Sequence, residues 1–106
     1  MRETRIYVGL NDSETLQQEH ETETYIRVLR NMCRSYRVAF SFSTQEGGYF
    51  HEDGRYTQET SLVLSLIDVP EETAHEIAKD LCAFFHQESV MVTVGEVEAY
   101  FVHEEL

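Results

Sequence analysis

The sequence predicts an α+β sandwich with two helices lying on one face of a four-stranded antiparallel sheet, and three observations carry that expectation. Apolar and polar residues alternate in four stretches, apolar residues recur every three or four positions in two others, and the stretches follow one another as βαββαβ. Thr4-Arg5-Ile6-Tyr7-Val8-Gly9-Leu10 sets Ile6, Val8 and Leu10 on one side of a first strand, which Asn11-Asp12-Ser13 ends as a turn. From about His20 to Tyr36 the period changes. Ile26, Leu29, Cys33 and Tyr36 form the stripe of a helix, widened by Tyr25 and Met32.

Val38, Phe40 and Phe42 then alternate with Ala39, Ser41 and Ser43, and this second strand is expected to run through a bulge at Gly47-Gly48 into Tyr49-Phe50-His51. Glu52-Asp53-Gly54 is a hairpin turn, because Asp-Gly accepts the positive φ that tight turns require. From Tyr56 the chain returns with Leu62, Leu64 and Leu66 facing one way and Val63, Ser65 and Ile67 the other. Asp68-Val69-Pro70-Glu71-Glu72 opens a second helix, since proline fits a first turn and carboxylates meet the positive end of the helix dipole. Ala74, Ile77, Ala78, Leu81, Phe84 and Phe85 are its buried stripe, and it ends near His86. The last strand is expected over Val90 to Val102, with a bulge at Gly95-Glu96 because its apolar residues change from even to odd positions there.

This order fits a ferredoxin-like fold with sheet order 4-1-3-2, residues 1–106 forming one domain. Right-handed crossovers place both helices on one face. The other face then carries Arg5, Tyr7, Ser41, Ser43, Val63, Ser65, Ile67, Met91 and Thr93, a half-apolar surface that suggests a homodimer.

The 106 residues include 20 Asp and Glu against 8 Lys and Arg, a formal charge of −12. That charge repels phosphate backbones and anionic lipid, so no direct nucleic-acid or membrane contact is expected, while a basic protein would be attracted. No apolar run approaches the length of a membrane-spanning helix, and two cysteines make no disulfide framework. The expected setting is cytoplasmic.

In the predicted topology strands three and four begin where strand one ends. Gln58-Glu59-Thr60 and Gln87-Glu88-Ser89 precede those two strands, so Asp12, Glu59 and Glu88 are expected to meet, with Asn11 between them and Glu46 and the Gly47-Gly48 backbone nearby. Such oxygen groups suit Mg²⁺ or Ca²⁺, or a cationic partner; the alternative is that they cap strand ends and exposed amides. Arg27, Arg30, Arg34 and Arg37 line one edge of the first helix, where they suit an anion or pair with neighbours such as Glu23. Tyr49, Phe50 and Tyr56, with Glu52 and Asp53 at the turn, make the hairpin arm a partner-binding candidate. The five histidines show no helical zinc spacing, and Cys33 and Cys82 fall on or beside buried stripes. Phosphate-loop, dinucleotide and nucleophile-elbow patterns are absent, so no cofactor, resident metal or catalytic residue is assigned.

Ile6-Tyr7-Val8-Gly9-Leu10, Glu59-Thr60-Ser61-Leu62-Val63 and Phe85-His86-Gln87-Glu88-Ser89-Val90 together resemble a family of small bacterial and mobile-element proteins classed as a domain of unknown function. The resemblance spans nearly the whole chain. It implies an α+β domain and a shared role for Gln87, Glu88 and Ser89, and it implies no activity.

The reading that follows is a small acidic interaction module, a nucleic-acid mimic that inhibits a basic nuclease or other nucleic-acid-binding protein in the manner of anti-CRISPR proteins. The alternative is a regulatory domain that binds a small ligand or divalent metal, and a third reading is an enzyme using Glu59 or Glu88 as a general base.

Overall fold

The computed structural model describes residues 1–105. The elements are β1 (Arg2–Gly9), α1 (Thr22–Tyr36), β2 (Ser41–Phe50), β3 (Tyr56–Ile67), α2 (Glu71–Phe84) and β4 (Met91–Glu96). Their sheet order, β2-β3-β1-β4, is the expected 4-1-3-2 read from the opposite edge. All neighbouring strands are antiparallel.

The core lies between the sheet and the helices. Ile6, Val8, Leu10, Leu62, Leu64 and Leu66 of the sheet meet Ile26, Leu29 and Cys33 of α1 and Ile77, Ala78 and Leu81 of α2 in one buried cluster. Burial also pushes the Cys33 thiol up to about 11, as expected of a cysteine serving as a small apolar side chain. The helices are tied to each other by the Tyr36 hydroxyl, which donates to Asp80 Oδ2 at 2.5 Å. That hydrogen bond, with partial burial, pushes the Tyr36 phenol up to about 12.

Element ends follow from local chemistry. Arg37 closes α1 in a left-handed conformation, its N–H donating to Arg34 O, and Val38 N–H donates to Cys33 O. Pro70 precedes α2, and beyond its last turn His86 takes a φ of 52° while the Gln87 N–H donates back to Cys82 O at 2.9 Å. Gly54, at φ 88°, turns the β2–β3 hairpin as expected of Asp-Gly.

Several expectations need correction: Phe84, expected in the buried stripe of α2, is exposed, and Gln58-Glu59-Thr60 lies within β3 and does not precede it. β2 begins at Ser41, and Val38 and Phe40 instead belong to a connector packed against the core. The Gly47-Gly48 bulge does not form: Glu46, Gly47, Gly48 and Tyr49 pair in unbroken register with Thr60, Glu59, Gln58 and Thr57. β4 stops at Glu96 with no bulge, because its neighbour β1 begins at Arg2 and leaves no further strand to pair with. Val97 adds one last exchange, its N–H donating to Met1 O at 2.7 Å, and residues 98–105 are not a strand.

The two sheet faces make a checkable distinction. Leu64 is fully buried on the helix side, whereas Ile67, on the open face, is 41% exposed. Leu64→Ala is expected to cost about 3 kcal/mol in urea unfolding, and Ile67→Ala less than about 1 kcal/mol.

Candidate functional site

β1 ends beside the middle of β3, where Gly9 pairs with Ser61, and the pairing continues past the last strand residue: the Leu10 N–H donates to Thr60 O at 3.0 Å. The Asn11 N–H then meets a side chain in place of a backbone carbonyl, donating to Glu59 Oε2 at 3.0 Å. The Asn11 amide group reaches the same strand end, its Nδ2 donating to Gln58 O at 3.2 Å. From the opposite side the Gln87 amide donates to Asn11 O at 2.6 Å, so Asn11 is held between β3 and the segment that precedes β4. Gln87 is fixed in turn by its carbonyl, which accepts from the Cys82 thiol at 3.0 Å.

The loop after Asn11 is organised by Asp12. Its Oδ1 accepts from the amides of Glu14 and Thr15 at 2.8 and 3.2 Å, and its Oδ2 lies 3.3 Å from His86 Nδ1. The Glu14 amide first, then the Thr15 amide and the His86 ring, hold the Asp12 carboxyl below its usual range. The Ser13 N–H, donating to His86 O at 3.0 Å, docks the loop on the turn that follows α2.

These segments enclose an open cleft of about 400 Å³ lined by Asn11, Asp12, Ser13, Leu16, Tyr49, Glu59, Gln87, Glu88 and Ser89. The expected meeting of Asp12, Glu59, Glu88 and Asn11 is thus present in the structure. Glu46 is not in it. Glu46 pairs with Thr60 while Glu59 pairs with Gly47, and adjacent positions on a strand point to opposite faces. Tyr49, expected on a partner-binding arm, lines the cleft instead, because its partner Thr57 has the parity of Glu59.

The other candidates lie apart from the cleft. At the hairpin tip Phe50 and Tyr56 pack ring against ring at 5.2 Å, both exposed. Glu52 is exposed, and Asp53 is engaged by its own turn: the Arg55 N–H and Nε donate to its carboxylate at 3.0 and 2.7 Å. None of Arg27, Arg30, Arg34 or Arg37 lines the cleft. Glu23 reaches Arg30 at 3.5 Å, not Arg27, and the Arg30 guanidinium sits 5.4 Å from the centre of the Phe42 ring. Among the described residues no three His, Cys, Asp or Glu side chains are arranged to hold a metal ion, and no helix is long and apolar enough to cross a membrane.

Neither a protein-family profile nor a curated protein sequence matches the chain. Solved structures do. A phage SAM lyase in complex with S-methyl-5'-thioadenosine is 26% identical, with a TM-score of 0.68 over 90% of this chain and 80% of that one. The periplasmic divalent cation tolerance protein CutA from Archaeoglobus fulgidus is 12% identical, with a TM-score of 0.54 over 93% of this chain and 87% of that one. A GlnK–ATP complex from B. subtilis is 13% identical, with a TM-score of 0.52 over 91% and 82% of the two chains. The fold is ferredoxin-like, shared with these small proteins.

A carboxyl held low in the folded chain stabilises it above the unfolded value, near 3.8, and that contribution is lost as pH falls through the lower folded value. Wild type is therefore expected to exceed Asp12→Asn in urea midpoint at about pH 5 and to lose the advantage by about pH 2.

Proposed function

We propose that the cleft binds S-adenosylmethionine and that the chain cleaves it, releasing S-methyl-5'-thioadenosine. The observation that carries this reading is the 26% identity, over 90% of the chain, with a phage SAM lyase that holds S-methyl-5'-thioadenosine. The chemistry of the cleft supports it. S-adenosylmethionine is a sulfonium, a permanent cation, and Asp12, Glu59 and Glu88 line one cleft in a chain of charge −12. Tyr49 offers an aromatic face to a nucleobase, and Asn11, Gln87 and Ser89 offer polar groups to a ribose.

Forming S-methyl-5'-thioadenosine breaks the bond from sulfur to the amino-acid carbon chain. The bonding pair goes to sulfur, which leaves as a neutral thioether, while a carboxylate oxygen of the same amino-acid chain attacks the carbon it leaves and closes a lactone, so no electron-transfer partner or cofactor is needed. Glu59 is the carboxylate best placed to hold the sulfonium, since one of its oxygens is fixed on the Asn11 N–H. Incubation with S-adenosylmethionine followed by chromatography is expected to show S-methyl-5'-thioadenosine accumulating, with kcat/KM lower by about 100-fold in Glu59→Gln because the cation is held less tightly. No product, and no calorimetric binding of S-methyl-5'-thioadenosine, would end this reading.

The basic-partner reading rests on charge. The residues it names fall in three places: the cleft (Asp12, Glu59, Glu88), the opposite sheet face (Glu46) and the hairpin tip (Glu52, Asp53). A single partner would have to span all three. The homodimer keeps support from β4, an edge strand whose Met91, Val92 and Val94 are exposed. If a second copy covers that strand, Val92→Glu is expected to lower the mass measured by sedimentation to that of one chain, while wild type sediments as more than one.

A further inference from the structure

Glycine in a strand gives up side-chain packing and conformational entropy, so Gly9, the last residue of the central strand β1, needs a reason to stand there. Backbone conformation is not that reason, because Gly9 does not adopt a positive φ. Space is. A Cβ at position 9 would lie 2.5 Å from Glu59 Oε2, 2.6 Å from Cδ and 2.7 Å from Oε1. Gly9 pairs with Ser61, and Glu59, two residues earlier in β3, shares that face. Its side chain therefore crosses diagonally over the Gly9 backbone before reaching the Asn11 N–H.

We propose that Gly9 is the positioning residue for Glu59: its missing side chain forms the seat in which the carboxylate lies. Oε2 is spent on Asn11, and among the described residues Oε1 accepts no protein hydrogen bond, which leaves it for a cation in the cleft. The ligand half of this inference rests on the reading of the cleft given above; the seat itself does not. All three atoms that a Cβ would strike belong to the far end of one flexible side chain, so an alanine is accommodated by moving the carboxylate and not the strand. Gly47 supplies the control. It pairs with Glu59 from β2, yet a Cβ there meets nothing within 4 Å.

The test compares Gly9→Ala, Gly47→Ala and Glu59→Gln in the full chain. The first readout is the response of the Asn11 amide NMR shift to replacing Glu59 by alanine, which is large where the Glu59 carboxylate accepts from that amide. Gly9→Ala is expected to lose that response with unchanged circular dichroism, and Gly47→Ala to keep it. The second readout is release of S-methyl-5'-thioadenosine from S-adenosylmethionine. Gly9→Ala is expected to lower kcat/KM by about tenfold or more, and to add nothing further in a Glu59→Gln background.

An Asn11 response that survives in Gly9→Ala, or equal losses of activity in Gly9→Ala and Gly47→Ala, would overturn the proposal. If wild type releases no product, the ligand reading fails and the NMR arm alone decides the seat. If Gly9→Ala does not fold, recovery of folding in Gly9→Ala/Glu59→Ala supports the seat, and failure to recover refutes it.

Discussion

The pairing of β1 with a strand on each side is the constraint on which the rest depends. Gly9 opposite Ser61 and Tyr7 opposite Met91 bring the end of β1 to the middle of β3 and the start of β4. Three segments far apart in the chain, around positions 11, 59 and 88, meet only because both registers hold together. A slip of one residue in β3 would carry Glu59 to the helix face and Leu62, Leu64 and Leu66 to the open one. The same burial that fixes the core therefore fixes which carboxylate faces the cleft.

The two strand glycines with crowded faces show how the sheet admits side chains across its own backbone. At Gly9 the occupant is the Glu59 carboxylate, and at Gly48 it is the ring of Tyr56, which would collide with any Cβ there. Each occupant sits two residues before the glycine's cross-strand partner, Ser61 in one case and Gln58 in the other. At Gly48 the device packs the hairpin, where Phe50 and Tyr56 meet. At Gly9 it brings a carboxylate close over a central strand, where no hydrophobic gain offsets the missing side chain. That asymmetry is why the first glycine points to function and the second to packing.

Much of this was legible in the sequence because the sequence encodes periods. Helical and alternating stretches specified six elements and their order, and the order placed Asp12, Glu59 and Glu88 at one sheet end. What stayed hidden depends on pairing partners. The apolar alternation from Val97 to Phe101 reads as strand, yet the ladder with β1 runs only to Arg2 opposite Glu96, with one further hydrogen bond from Val97 to Met1 O. An assumed bulge at Gly47-Gly48 shifts parity by one and sends Tyr49 to the wrong face; unbroken register returns it to the side of Glu59. Glu46 failed for the same cause, one position from the correct parity. Gly9 interrupts the alternation of Ile6, Val8 and Leu10 with bulkier residues, and a glycine within an alternating strand is itself a sign of close approach.

Charge and geometry divide the work of such a cleft. A net charge of −12 draws any small cation toward the surface and accelerates encounter, but it acts alike on every cation and is screened within about 10 Å at moderate salt. It also stabilises a bound cation more than the neutral product that follows loss of charge, which favours product departure and does nothing for the barrier. Selection among cations must come from a group whose position is set before the ligand arrives. Glu59 meets that condition, anchored on the Asn11 N–H, whose own carbonyl is held by Gln87. Asp12 is fixed as well, but its oxygens are already engaged by the amides of Glu14 and Thr15 and by His86. The cleft therefore separates a carboxylate that builds the loop from one that keeps an oxygen free to meet a ligand.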